Sequence, residues 1–247
     1  AQDERVRFIG YGYSQRTNTA AEQARGPLLL MLNPRLRPND AGWLREMVSH
    51  AVRPGVGVVG AKLLCPEGTV LHAGIVVGGP DMAFMPFAGQ QHLQAGYFGC
   101  LQLARDVTAV SGKCMMVHRP AFLAVGGRDD CISSATLGDV DLCLKFSTAG
   151  YRSVWTPSEL ILRDGAPWQC RLGTDLPADA VRMRQRWGHR LNADPYWNLN
   201  LSCDSAKVRL AFPPRTGHST TPTRTPADTP RQFGSLSSHA VSQIGTI

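Results

Sequence analysis

Four carboxylates fall within thirteen positions of this chain: Asp129 and Asp130 in Gly126-Gly127-Arg128-Asp129-Asp130, then Asp139 and Asp141 in Gly138-Asp139-Val140-Asp141-Leu142-Cys143-Leu144-Lys145. An apolar helical pattern follows them and stops at Gly150. Carboxylates gathered where a helix begins can abstract a proton, clamp a metal ion or satisfy the first backbone N–H groups. Local pattern explains Asp139 as an N-cap and Asp141 as a first-turn residue that suits the helix dipole. It explains Asp129 and Asp130 as turn residues after the glycine pair. The same residues also suit catalysis, because a base must be held rigidly within hydrogen-bond reach of its proton.

The elements around them alternate. Val6 to Ile9 reads as a short strand, and Thr17 to Ala24 as a helical stretch that Gly26-Pro27 stops. Leu28 to Leu32 is a continuous apolar run, the form of a strand buried on both faces. Asn39 or Asp40 caps a helix carrying Leu44, Met47, Val48 and Val52, and Pro54-Gly55 ends it. Val56 to Val59 is a second buried strand, and Lys62 to Val77 reads as a hairpin or extended excursion. Gly78 to Gln94, rich in Gly, Pro and Met, reads as a long loop of the lid or binding type. Strands are expected at Val107 to Val110 and Cys114 to Val117, and a short helix starts at Pro120. Tyr151 to Trp155 is a strand that Pro157 breaks, and Pro177 to Arg190 is the last helix. Buried strands alternating with amphipathic helices predict an α/β layer architecture. From Pro213 the composition turns to Thr, Ser, Pro, Gly and Arg, the pattern of a disordered tail.

Bulk composition excludes several classes. The 247 residues, 43% apolar, suffice for one core and a tail. No apolar run approaches the roughly 20 residues that span a bilayer. Seven cysteines include no C-x-x-C pair, so spacing supports neither a zinc nor a redox site, and reduced cytosolic thiols are expected. The net charge of +7 is densest at Arg182, Arg184, Arg186 and Arg190, which read as a solvated helix face, and no nucleic-acid fold signature accompanies them.

The order of segments resembles the second half of a family 2 glycosyltransferase domain of the GT-A fold, of the bacterial rhamnosyltransferase-like kind. The matching pieces include Gly26-Pro27-Leu28-Leu29-Leu30-Met31-Leu32-Asn33-Pro34, Gly68-Thr69-Val70-Leu71-His72-Ala73-Gly74 and Val110-Ser111-Gly112-Lys113-Cys114-Met115-Met116-Val117. They continue through Gly126-Gly127, Asp139 to Lys145, Ala149 to Pro157 and Asp194-Pro195-Tyr196-Trp197-Asn198. The resemblance implies a partial GT-A fold, a mixed sheet flanked by helices, over 1–212, with a tail over 213–247. It implies inverting transfer of a sugar from a nucleotide-sugar donor to a glycan or lipid-linked acceptor, in the cytoplasm, with peripheral membrane contact allowed. Asp139 matches the family's catalytic base. Asp129, Asp130 and Asp141 match positions that contact sugar or acceptor, and Gly112 matches a glycine that substrate approaches closely.

Three departures stand against that pattern. The family's Mg or Mn ligands are expected after the strand Leu28 to Leu32 and after Pro157, where this chain has Arg35 and Arg163. A guanidinium repels a cation but pairs well with a diphosphate. The nucleotide-binding part that opens a full domain has no counterpart before Val6. Two expectations follow: a transferase in which Arg35 and Arg163 replace the metal, or a non-catalytic carbohydrate- or partner-binding module on a degenerate transferase scaffold.

Overall fold

The structure, a computed structural model, describes residues 13–163, 177–203 and 207–215. Its centre is strand β3 (Val56–Leu64), whose nine residues are all buried and which runs on past the expected Val56 to Val59 through the buried Lys62. Numbering in chain order, α1 (Tyr13–Gln23), β1 (Leu28–Leu32), β2 (Leu36–Pro38) and α2 (Trp43–Ala51) precede it. After it come β4 (Val70–His72), β5 (Val76–Val77), β6 (Ala83–Phe84), β7 (Arg105–Val107) and β8 (Cys114–His118). α3 (Arg119–Ala124), α4 (Ala135–Thr148), β9 (Arg152–Leu162) and α5 (Pro177–Trp187) complete the described elements. The main sheet runs β1-β8-β3-β9-β2, with β4 added to β3 and β7 to β9. β3 and β9 are parallel, and β8 is antiparallel to both β1 and β3. β1, β3 and β9 therefore point the same way, and their carboxyl ends share one edge of the sheet.

Alternation along the strands builds two cores. Met115, Val117 and Trp155 face one core with α3, α4 and the segment from Ala73 to Val110. Cys114, Met116 and Val154 face the other, which Met47 and Ala51 of α2 close. Gly60 lets the segment before β8 lie against β3, since a Cβ there would sit 2.4 Å from that of Val110.

Several expectations need correction. Leu28–Leu32 forms a strand at the edge of the sheet, only partly buried, because β8 alone pairs with it among the described residues. Gly42, not Asn39 or Asp40, is the N-cap of α2; the Asp40 carboxylate turns back on the Gly42 N–H at 2.6 Å. Pro157 does not break β9. The β3–β9 register jumps from Ala61↔Thr156 to Lys62↔Glu159, and the bulge places Pro157 where no ladder donor is needed. The segment Gly78 to Gln94 is not an open lid, since Met82, Phe84, Met85 and Phe87 are buried and Phe84 and Phe87 meet Trp197 edge-on at 5.8 and 6.3 Å. The strand expected at Val6 to Ile9 and residues 216–247 of the expected tail lie outside the described residues.

Candidate functional site

Helix α4 starts earlier than the carboxylates suggest. Ser134 is its N-cap, the hydroxyl accepting the Leu137 N–H at 3.2 Å. Asp139 and Asp141 therefore lie inside the helix, and their reading as cap and first-turn residues is corrected. Gly138 lies mid-helix beside Arg128, whose guanidinium a Cβ there would meet at 3.4 Å, an ordinary van der Waals contact.

Asp139 is 5% exposed. One carboxylate oxygen accepts the Gly112 backbone N–H at 2.7 Å, and the other pairs with the Arg128 guanidinium, itself buried. Arg128 is held through its backbone. The Asn18 amide of α1 accepts its N–H and donates to its carbonyl, both at 2.9 Å. Gly127, at φ +61°, brings the chain there, and a Cβ on it would lie 2.4 Å from the Asn18 oxygen.

A second carboxylate–guanidinium unit lies beside the first. Arg186 of α5 reaches Asp129 at 2.7 Å and the fully buried Asp141 at 2.8 Å. The Trp187 indole N–H donates to Asp141 at 2.9 Å, and the Lys145 ammonium lies 3.0 Å from its other oxygen. Asp141 thus anchors α5 and does not meet solvent. Burial pushes the Asp129 carboxyl up, but the Cys131 backbone N–H and Arg186 outweigh it and hold it below the usual range. Asp130 is exposed. Arg186 is therefore a bridge between Asp129 and Asp141, which corrects its reading as part of a solvated face.

Arg35 and Arg163 are brought together. The Arg163 N–H donates to the Arg35 carbonyl at 2.8 Å, beside the ladder pair Leu36↔Leu162. Asn33 joins this pair to the turn carrying Gly112: its side chain accepts the Arg35 N–H at 2.9 Å, and its own N–H donates to the Lys113 carbonyl at 2.7 Å. The edge at the carboxyl ends of β1, β3 and β9, where open α/β sheets take their ligands, carries Arg35, Arg163 and Lys113. That set does not fit a Mg or Mn ion, whose ligands are oxygen donors. Among the described residues no three His, Cys, Asp or Glu side chains group to hold a metal. Burial pushes the Cys114 and Cys143 thiols up to about 12, so neither is a nucleophile at neutral pH.

Sequence reasoning placed the carboxylates but missed Asn18, Arg128 and Arg186 as their partners. Arg128 lies within the glycine-to-aspartate motif, but Asn18 touches it across 110 positions and Arg186 reaches Asp141 across 45. Spacing along the chain carries no sign of contacts so distant.

The chain is 37% identical over 228 residues to the protein y4gI of Sinorhizobium fredii (strain NBRC 101917 / NGR234), covering 85% of this chain and 24% of that one. It is 36% identical over 220 residues to the O-antigen biosynthesis protein RfbC of Myxococcus xanthus, covering 84% and 16%. The chain thus spans less than a quarter of the length of either relative. A crystal structure of GalNAc-T7 with UDP, GalNAc and Mn2+ superposes with a TM-score of 0.52 at 14% identity, over 71% of this chain and 35% of that one. This likeness establishes the mixed sheet flanked by helices of the GT-A fold. The family model described as "Glycosyl transferase family group 2" matches residues 41–219, and the chain belongs to that family.

Proposed function

We propose that residues 1–212 are the C-terminal portion of a family 2 glycosyltransferase domain and 213–247 a separate tail. The domain moves a sugar from a nucleotide-sugar donor to a hydroxyl of a glycan or lipid-linked acceptor, with inversion. The acceptor oxygen attacks the anomeric carbon, its proton passes to the Asp139 carboxylate, and the bond to the nucleoside diphosphate breaks. Arg35 and Arg163 bind the departing diphosphate and offset its charge, so the transfer is independent of a metal. Gly112, Asp129, Asp130 and Asp141 belong to the sugar and acceptor side, with Asp141 acting through Arg186. The kinship with RfbC supports a cell-surface polysaccharide as the product, and its assembly in the cytoplasm is part of the same proposal. Among the described residues no helix is long and apolar enough to cross a membrane, and contact with one would be peripheral.

The observation that carries this reading is one hydrogen-bonded turn joining base and cations. Gly112 donates to Asp139, and the adjacent Lys113 carbonyl accepts from Asn33, which holds Arg35. Asp139→Asn in the full-length protein should lower transfer by about 10²–10⁴-fold while nucleotide binding persists. Unchanged transfer would remove Asp139 from the base role. Calorimetry with UDP and GDP tests the arginines: equal binding with Mn2+ and with EDTA supports them, and dependence on Mn2+ contradicts them.

One feature favours the non-catalytic module. Asp139 is 5% exposed and each of its oxygens already has a partner, so an acceptor hydroxyl has little access to it. The module predicts oligosaccharide binding with neither transfer nor affinity for nucleoside diphosphates.

A further inference from the structure

His72 ends β4, is 1% exposed, and lies opposite Leu63 of β3. Its Nε2 accepts the Ser111 N–H at 3.1 Å and the Gly74 N–H at 3.3 Å. A ring nitrogen facing two backbone donors must present its lone pair, so the ring proton belongs on Nδ1. Burial, then the charges of Lys113 and Arg105, press its pKa down to about 3, which keeps the ring neutral and Nε2 an acceptor.

Ser111 is the first of three consecutive residues that are each pinned by a different part of the fold. Ser111 is held by His72, Gly112 by Asp139, and the Lys113 carbonyl by Asn33. The Ser111 hydroxyl also accepts the Lys113 N–H at 3.3 Å, closing the turn on itself. Asp139 and Asn33 belong to the proposed chemistry, whereas His72 acts on them through the turn.

We propose that His72 is a positioning residue that fixes the Ser111–Gly112–Lys113 turn so that the Gly112 N–H meets Asp139 in its working orientation. This deepens the reading of Asp139 as the base and rests on it. A hydrocarbon at position 72 frees the Ser111 N–H inside the protein and lets the turn shift. Misplacement of a catalytic group by about 1 Å costs on the order of 10²-fold in rate. A glutamine restores an acceptor oxygen near the Nε2 position.

The test compares the full-length protein with its His72→Leu and His72→Gln variants. Expected for His72→Leu are loss of exchange protection and a shifted amide resonance at Ser111 and Gly112, with kcat for sugar transfer down about 10–100-fold and donor KM little changed. His72→Gln should recover most of both. An unmoved Gly112 amide in His72→Leu, or a glutamine variant no better than leucine, overturns the assignment. Long-range ¹H–¹⁵N spectra of the unmutated protein decide it even if His72→Leu does not fold: a proton on Nε2 refutes the proposal, and one on Nδ1 upholds it. An absence of transfer in the unmutated protein would instead strike the proposed function, and the amide and tautomer readouts would still stand.

Discussion

Replacing Arg128 by Met would strand Asp139. The two side chains are 1% and 7% exposed, so neither charge can turn to water without opening the fold. Arg128 cannot back away either, because Asn18 grips its backbone on both sides. In the variant the carboxylate keeps the Gly112 N–H but loses its counter-charge. Removing one member of a buried ion pair costs about 3–5 kcal/mol, far above the ~1 kcal/mol of an exposed pair. Asp139→Leu should cost a similar amount, since it removes the carboxylate from a buried guanidinium. Arg128→Met combined with Asp139→Leu replaces both charges by apolar groups, and should cost less than the sum of the single changes by at least about 2 kcal/mol. Urea unfolding of the four proteins, followed by fluorescence, gives the cycle from the midpoints and slopes. The penalty of Arg128→Met should change little between low and high salt, because a buried pair is poorly screened. Additive single effects, each below about 1 kcal/mol, would refute the claim that this pair is buried and coupled.

Other consequences are as concrete. Gly60→Ala should destabilise by about 1–3 kcal/mol, read by thermal unfolding, because the new methyl would lie 2.4 Å from the Val110 Cβ. Asp129 and Glu159 both release their protons more readily in the folded chain: burial pushes each up, but hydrogen-bonded partners outweigh it. Their contribution to stability is therefore present above the ordinary carboxylate range and lost as pH falls through it; Asp129→Asn should flatten that acid limb. The His72 ring stays neutral when folded and protonates near 6.5 when unfolded, so stability should fall as pH drops from about 6.5 towards 3. His72→Gln should remove about one proton from the pH dependence of unfolding in that window.

The sequence exposed most of the scaffold and little of the wiring. The first half of β3, β8 and the body of α4 were readable because continuous apolar runs and helical spacing are local signals. The start of α4 was not, since carboxylates that suit a cap at Asp139 hid the true cap at Ser134, five positions earlier. Pro157 misled for a similar reason: proline stops a regular strand, but here the neighbouring strand supplies a bulge. Composition made 78–94 a loop, whereas its Met and Phe side chains were core for a surface that Trp197 brings from far along the chain. At the site, residue types were legible and partners were not. Arg35 and Arg163 stood out as unusual residues, but only sheet pairing puts them side by side.

The grip of Asn18 on Arg128 also has a bearing on how the protein is made. The two residues lie 110 positions apart, so α1 leaves the ribosome long before its partner exists. At about 5–20 residues per second, that delay is on the order of 5–20 s, far longer than the time in which a helix forms. During synthesis α1 has no Arg128 to hold, and the ion pair with Asp139 waits on the same event. Sequence changes that weaken α1 would therefore show first as a lower yield of correctly assembled sites during expression, before they show as a lower melting temperature.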